Sequence, residues 1–316
     1  MEFWILFSLA SSFLFAIVSV IDKYGVLDHT NLSPKFLNMY VGFSNAIVGI
    51  IVLISFGVTD LFSSATLLAL TVGMIQGGSL IILFWSLKNN DVTRVMPIWS
   101  AYPIWVLLIA IVLSIEVLTF NQLICIFLLI SGGVIANIKI DNLNSIKFSI
   151  KSFFVLIVGT LLFGLSQIIN KEVVQIIPVI EAFGFRGIGV CLTLAIPFSK
   201  RENLLFLAKY VLNWKKSKYI FTAETILATF AYLTILYSLV YGPVSLVAAI
   251  SGTRPVFIVA IYTILGILRV NISESFSRTV IIDNENNGWL GYMPAYLRSN
   301  GQLGIKAVSV YKNNVN

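Results

Sequence analysis

Apolar residues run along this chain in nine stretches, at about 3–21, 36–56, 65–87, 95–115, 122–138, 153–174, 179–198, 219–241 and 244–268, with short polar segments between them. At about 1.5 Å per residue each is long enough to cross about 30 Å of hydrocarbon, the fifth only barely. Nine such runs leave no polar faces for water to solvate. In hydrocarbon the backbone must satisfy its own hydrogen bonds, which makes each run a helix. Trp4, Tyr40, Trp85, Tyr219 and Tyr241 fall near run ends, where aromatic rings anchor to the membrane interface. The pattern predicts an all-α polytopic membrane protein of about nine transmembrane helices.

Part of the pattern occurs twice. Trp85-Ser86-Leu87, Val92, Ser100 and Tyr102-Pro103 return 152 residues later as Tyr237-Ser238-Leu239, Val244, Gly252 and Arg254-Pro255. Each copy sits at the junction of two apolar runs, with a proline at matching depth in the second. After the first copy come Ile115-Glu116-Val117-Leu118-Thr119 and a further apolar run; after the second, hydrophobicity stops near Leu268. Asp22-Lys23 ends the first run much as Asn170-Lys171 interrupts the sixth. The chain therefore divides into a first repeat (1–140), a truncated second repeat (150–268) and a polar tail (269–316). Five helices is an odd number, so consecutive units insert with opposite orientation and give an inverted repeat. The expected tenth helix is missing.

Composition supports lipid as the solvent: 58% of the 316 residues are hydrophobic and 11% charged, with mean hydropathy +0.94. Soluble domains carry about a quarter charged residues. The net charge of +7 does not mark a nucleic-acid face, because the basic residues are confined to segments between apolar runs. Segments after odd-numbered runs hold Lys23, Lys35, Lys88, Arg94, Lys139, Lys147, Lys151 and six further Lys/Arg in the long loop 199–218; those after even-numbered runs hold only Lys171. This predicts Met1 outside and the tail inside. The Lys215-Lys216-x-Lys218 cluster reads as the same topological signal. Cys125 and Cys191 lie inside apolar runs, which argues against a disulfide or a metal site. His29 is the single histidine. No catalytic residues, metal or cofactor are expected, and the first run lacks the basic flank of a cleaved signal, so it reads as a retained helix.

Ionisable residues within the runs are Glu181, Arg186, Glu224 and Arg254. Each costs about 2.5–3.5 kcal/mol or more at the bilayer centre unless it faces a partner or water. They are candidates to line a central cavity, with Arg186 or Arg254 binding an anionic group and Glu224 taking a proton. Glu181 and Glu224 also lie near run ends, where a carboxyl can reach the headgroups. Pro255 beside Arg254 reads either as a freed carbonyl beside a charge in a discontinuous helix, a candidate binding element, or, like Pro103, only as a kink in a packed helix. Gln76, in Gln76-Gly77-Gly78-Ser79, and Asn45, Gln167 and Asn170 are uncharged candidates. Trp99 and Tyr102, with Trp85 and Trp105, could form an aromatic wall. The site expected from sequence is thus Gln76, Trp99, Tyr102, Arg186, Glu224 and Arg254.

On the paired Pro103 and Pro255, the Glu116-x-Leu118-Thr119 turn and Gly132-Gly133-Val134, residues 1–268 resemble the EamA-type drug/metabolite transporters, which have two five-helix units. The resemblance implies proton- or gradient-coupled movement, or facilitated efflux, of small metabolites across the cell membrane. Leu268 stands where that pattern has a second Glu. Within the tail, Ser277-Arg278-Thr279-Val280, Gly291-Tyr292-Met293-Pro294-Ala295-Tyr296-Leu297 and Gly304-Ile305-Lys306-Ala307-Val308-Ser309-Val310 resemble part of the ornithine cyclodeaminase/mu-crystallin family over about 275–314. That resemblance implies substrate contact by Arg278 and Lys306. No G-x-G-x-x-G follows a strand pattern, so the tail, β-rich or disordered, carries no dinucleotide site. The expected function is a multi-pass transporter or exporter, not an enzyme. Its partners are a small-molecule substrate, the lipid bilayer and, as a homodimer, a second copy of the chain. The alternative is a non-functional fusion of a transporter gene with a cyclodeaminase-like fragment.

Overall fold

The computed structural model describes residues 3–22, 32–89, 92–116, 119–135 and 150–267, and among them the regular elements are all helical. In order these are α1 (Phe3–Ile21), α2 (Pro34–Phe56), α3 (Ser64–Asn89), α4 (Val92–Trp99), α5 (Tyr102–Val112), α6 (Phe120–Ile135), α7 (Ile150–Ile176), α8 (Val179–Leu194), α9 (Arg201–Leu212), α10 (Trp214–Ile220), α11 (Ala228–Tyr241), α12 (Val244–Ser251) and α13 (Arg254–Ile267). A π-helical segment, Phe221–Leu227, joins α10 to α11. Residues Met1–Val259 form one compact unit and Ala260–Asn316 a second. The polar tail, with Arg278 and Lys306, lies outside the described residues, as do Lys23 and His29.

Among the described residues, seven segments are long and apolar enough to cross a membrane: Phe3–Ile21, Pro34–Phe56, Ser64–Lys88, Phe153–Ile176, Val179–Phe198, Trp214–Tyr241 and Val244–Leu265. They match seven of the nine runs expected from sequence. The run expected at 95–115 is two helices, with a break between Trp99 and Tyr102, and the one expected at 122–138 is described as the 16-residue α6. The loop expected at 199–218 also differs, since most of it is helical. There Leu207 and Tyr210 point inward from α9 and are buried, which gives a short helix a packing face despite its lysines.

Helix α8 packs between α2 and α3, α3 also packs on α7, and α1 runs along α11. The approach of α2 and α3 to α8 is close because glycines face each other there. A Cβ on Gly49 would lie 2.6 Å from the carbonyl oxygen of Gly184, and a Cβ on Gly73 would overlap the carbonyl oxygen of Arg186. In lipid, helices gain little from hydrophobicity against one another, so small residues that allow backbone contact drive the packing. Along α1 and α11 the contact is polar: Ser8 pairs with Ser238, Ser11 donates to the Ala231 carbonyl at 2.8 Å, and Ser238 donates to the Trp4 carbonyl at 2.8 Å.

The two helix breaks share one backbone pattern. The amide of Ser100 bonds the carbonyl of Met96 at 2.8 Å, that of Ala101 bonds Ile98 at 3.1 Å, and that of Ile104 bonds Ala101 at 3.0 Å. The same three bonds recur between Gly252 and Ala248 (2.8 Å), Thr253 and Ile250 (3.0 Å), and Val256 and Thr253 (2.9 Å), each residue 152 positions on. Pro103 and Pro255 therefore sit in the first turn of a new helix, where no amide is needed, rather than kinking a continuous one. Of the two readings open from sequence at Pro255, this is the discontinuous helix rather than the kinked one. The carbonyl of Ser251, four residues before Pro255, instead meets the hydroxyl of Ser12 at 3.4 Å.

Candidate functional site

A cavity of about 90 Å³ lies inside the first unit, lined by Phe15, Val18 and Ser19 from α1 and by Asp22 just after its end. Val41 and Asn45 line it from α2, Gln76, Leu80, Leu83, Phe84 and Leu87 from α3, and Met96 and Trp99 from α4. Phe163, Arg186, Glu224, Ala228, Tyr232 and Arg254 complete the wall. At about 10–15 Å³ per water such a space holds several waters, and most of its wall is apolar.

Arg186 dominates one side. It is 3% exposed, on a turn of α8 wedged between α2 and α3 by the glycine contacts described above. Its Nη1 donates to Gln76 Oε1 at 3.0 Å and its Nη2 to Asn45 Oδ1 at 2.8 Å, while Nε has no partner among the described residues. The guanidinium stands 3.6 Å from the centre of the Tyr232 ring and 5.2 Å from that of Phe183. Tyr232 is fixed in turn by Asn170, which donates to its hydroxyl at 2.8 Å. Asn45 is oriented by donating its amide to the Val41 carbonyl at 2.9 Å, which leaves its oxygen for the arginine. A buried cation held by neutral amides and a π face keeps most of its positive charge uncompensated, a costly arrangement that an anion in the cavity would relieve.

On the other side, Asp22 and Glu224 are 5% and 7% exposed and hydrogen-bond to one another. The other oxygen of Asp22, Oδ1, has no partner among the described residues. Glu224 projects from the π-helical segment, a distortion that recurs at functional sites in α-helices. Arg254, at the start of α13, lies 4.6 Å from the centre of the Phe15 ring and within electrostatic reach of Glu224. Two guanidiniums, of Arg186 and Arg254, and two carboxyls, of Asp22 and Glu224, thus line the same cavity.

Of the six residues expected from sequence, Gln76, Trp99, Arg186, Glu224 and Arg254 line this cavity. Tyr102 does not; it is buried against Phe163, edge-on at 4.8 Å, with its hydroxyl 3.4 Å from the Ala248 carbonyl. The aromatic wall reduces to Trp99, because Trp105 donates instead to Thr160 at 3.1 Å and Trp85 is 42% exposed. Glu181 stands apart in a separate cavity with Thr59 and Pro178, where its Oε2 accepts from the Thr59 amide at 3.3 Å and hydroxyl at 2.9 Å. At 3% exposure it does not reach outward to headgroups. Asp22 and Tyr232 were not expected at the site. The first looks like an ordinary polar end to a span, and the second is one of twelve tyrosines.

Residues 2–138 match the model of the EamA-like transporter family. No curated protein matches the chain. A solved structure described as "Crystal structure of protein" is similar, with TM-score 0.59 and 13% identity over 83% of this chain and 88% of that one, a likeness of fold alone. The seven apolar spans and the family match together mark a multi-pass membrane protein with a transporter-type domain over residues 2–138.

Proposed function

We propose that the chain is a transporter or exporter of small metabolites of the drug/metabolite type, and that the cavity around Arg186 is where it holds the anionic group of its substrate. The observation that carries this reading is the Arg186 guanidinium, buried at a cavity wall with its Nη1 and Nη2 bonded to the neutral side chains of Gln76 and Asn45. A permanently buried charge of this kind is expensive, and structural roles are usually filled by a carboxylate partner. Arg254 adds a second positive group, and the Asp22–Glu224 pair two carboxyls able to exchange a proton.

The architecture that suits this role is an inverted repeat around a central site, with the two broken helices α4–α5 and α12–α13 as corresponding parts. Their matched hydrogen bonds at an offset of 152 support that reading. A truncated second repeat, followed by a cyclodeaminase-like fragment, would make the chain a non-working fusion. Both readings are tested by purifying the full chain and titrating it with small metabolites while following tryptophan fluorescence, because Trp99 lines the cavity. Saturable quenching by carboxylates or phosphates, and none by their neutral esters, supports the transporter reading. No saturable response across anionic, neutral and cationic metabolites contradicts it.

A further inference from the structure

We propose that α9 and α10 form a docking surface for the headgroup layer of a bilayer that contains anionic lipid. Helix α9 links a span that ends at Phe198 to one that starts at Trp214, and α10 opens the second, so both lie at the membrane boundary by connectivity. The second of those spans is 28 residues long, about 42 Å as a helix, and exceeds the hydrocarbon by about 12 Å. Trp214 and the first turns of α10 therefore project into the interface.

Around α9 the side chains divide into three arcs. Leu207 and Tyr210 are buried against the protein, and Phe206 stacks on Phe36 at 4.1 Å and 27°. Next to that arc, Leu204, Leu205, Val211 and Leu212 are 39, 55, 43 and 84% exposed. At 100° per residue they fall within an arc of about 120°. Glu202 and Lys209 occupy the remaining side, and Arg201, the first residue of the helix, adds a charge at the end of the bare arc. A helix with protein on one flank, bare Leu and Val on the next and charge on the third fits an interface with lipid below and water above. Trp214, 62% exposed, continues the bare surface.

The charge says which lipid. Residues 199–218 hold six Lys/Arg against one acid, Glu202. A topological signal accounts for the lysines but needs neither a helix nor an exposed leucine stripe. The combination is that of an amphipathic helix held on anionic headgroups by its basic residues. The surface also has a mechanical route to the cavity: α10 runs directly into the π-helical segment that carries Glu224, and Phe206 rests on Phe36 at the start of α2.

The test uses the full chain, with Cys125→Ser and Cys191→Ser, reconstituted in vesicles of phosphatidylcholine alone or in equal parts with phosphatidylglycerol. A fluorophore is placed by Leu205→Cys, Leu212→Cys or Lys209→Cys, and acyl chains brominated near the headgroup serve as quencher. In mixed vesicles the probes at 205 and 212 should be quenched severalfold more than the probe at 209. Lys215→Gln, Lys216→Gln and Lys218→Gln together should remove most of the difference between the two lipids. These side chains are exposed, so thermal unfolding like that of the parent verifies the fold. Equal quenching at all three positions, or equal quenching in neutral and anionic vesicles, overturns the proposal. Protection of 205 and 212 that vanishes as lipid is added in excess over protein would assign the surface to a second copy of the chain and also overturn it.

Discussion

Glu116 and Lys171 grip one backbone corner from opposite sides. The Lys171 ammonium donates to the carbonyls of Leu239 and Gly242 at 2.7 and 3.0 Å, at the C-terminal end of α11. The Glu116 carboxylate accepts from the amides of Val244 and, at 3.2 Å, Ser245, at the N-terminal end of α12. Each charge opposes the helix dipole it meets and satisfies groups left bare at a helix end. Glu116→Ala and Lys171→Met are each expected to lower stability by about 1 kcal/mol. A double-mutant cycle on thermal unfolding in detergent should reveal coupling between them, as both hold the Gly242–Pro243 corner. Strictly additive effects would mean that the two ends are held independently.

Ser114 has a positive φ of 53°. It ends α5 in a Schellman arrangement, with the Ile115 amide on the Ala110 carbonyl at 2.9 Å and the Ser114 amide on that of Ile111 at 3.1 Å. This turn aims Glu116 at α12. Glycine takes a positive φ at little cost, so Ser114→Gly should raise stability by several tenths of a kcal/mol, about 0.5–1. A lower unfolding temperature would show that the serine side chain matters more than its backbone angle.

Two glycines five positions apart on α3 should respond in opposite ways. A Cβ at Gly73 runs into the backbone of Arg186, whereas one at Gly78 meets nothing within 4 Å. Gly73→Ala should cost about 1–3 kcal/mol by pushing α3 off α8. It should also impair binding, since Gln76 and Arg186 would separate. Gly78→Ala should be neutral or stabilising by up to about 1 kcal/mol. Comparing the two by thermal unfolding and by ligand-induced quenching tests the packing directly; equal effects would contradict it.

The helices and most of the cavity were legible in the sequence because hydrocarbon allows few alternatives to a helix and tolerates few charges. A buried Arg186 stands out in an apolar run whatever its neighbours are. The rest depended on long-range pairing. Asp22 reads as the polar end of a span until it is seen against Glu224, 202 residues later. At Pro255 a kinked helix and a broken one read alike, because the sequence does not reveal that the helices restart one residue before each proline. The helices of 199–218 were hidden by their lysines, which lower the mean hydropathy that a span reading relies on. Tyr102 failed to reach the cavity because the break at Ser100–Ala101 turns it toward α12.

Removing one acid should distinguish pairing from simple burial at Asp22. Glu224→Gln can still hydrogen-bond Asp22 and is expected to unfold within about 1 kcal/mol of the parent, while Glu224→Leu leaves a buried carboxyl without its partner and should cost about 1–3 kcal/mol. Thermal unfolding of both variants reads the difference. Identical stabilities would mean that water, not Glu224, satisfies Asp22.

The central claim is that Arg186 meets the negative charge of the cargo. The most direct measurement is transport by the full chain in proteoliposomes, with Arg186→Lys and Arg186→Gln compared with the parent on an anionic substrate found by quenching and on its neutral ester. Loss of a charge-assisted hydrogen bond of about 1.5–3 kcal/mol corresponds to about 10- to 100-fold in rate. Arg186→Gln is expected to fall by that factor on the anion, and Arg186→Lys, which keeps charge but not the planar fork, by an intermediate one. Anion transport by Arg186→Gln at the parent's rate, from a protein inserted and folded like the parent, would contradict the account.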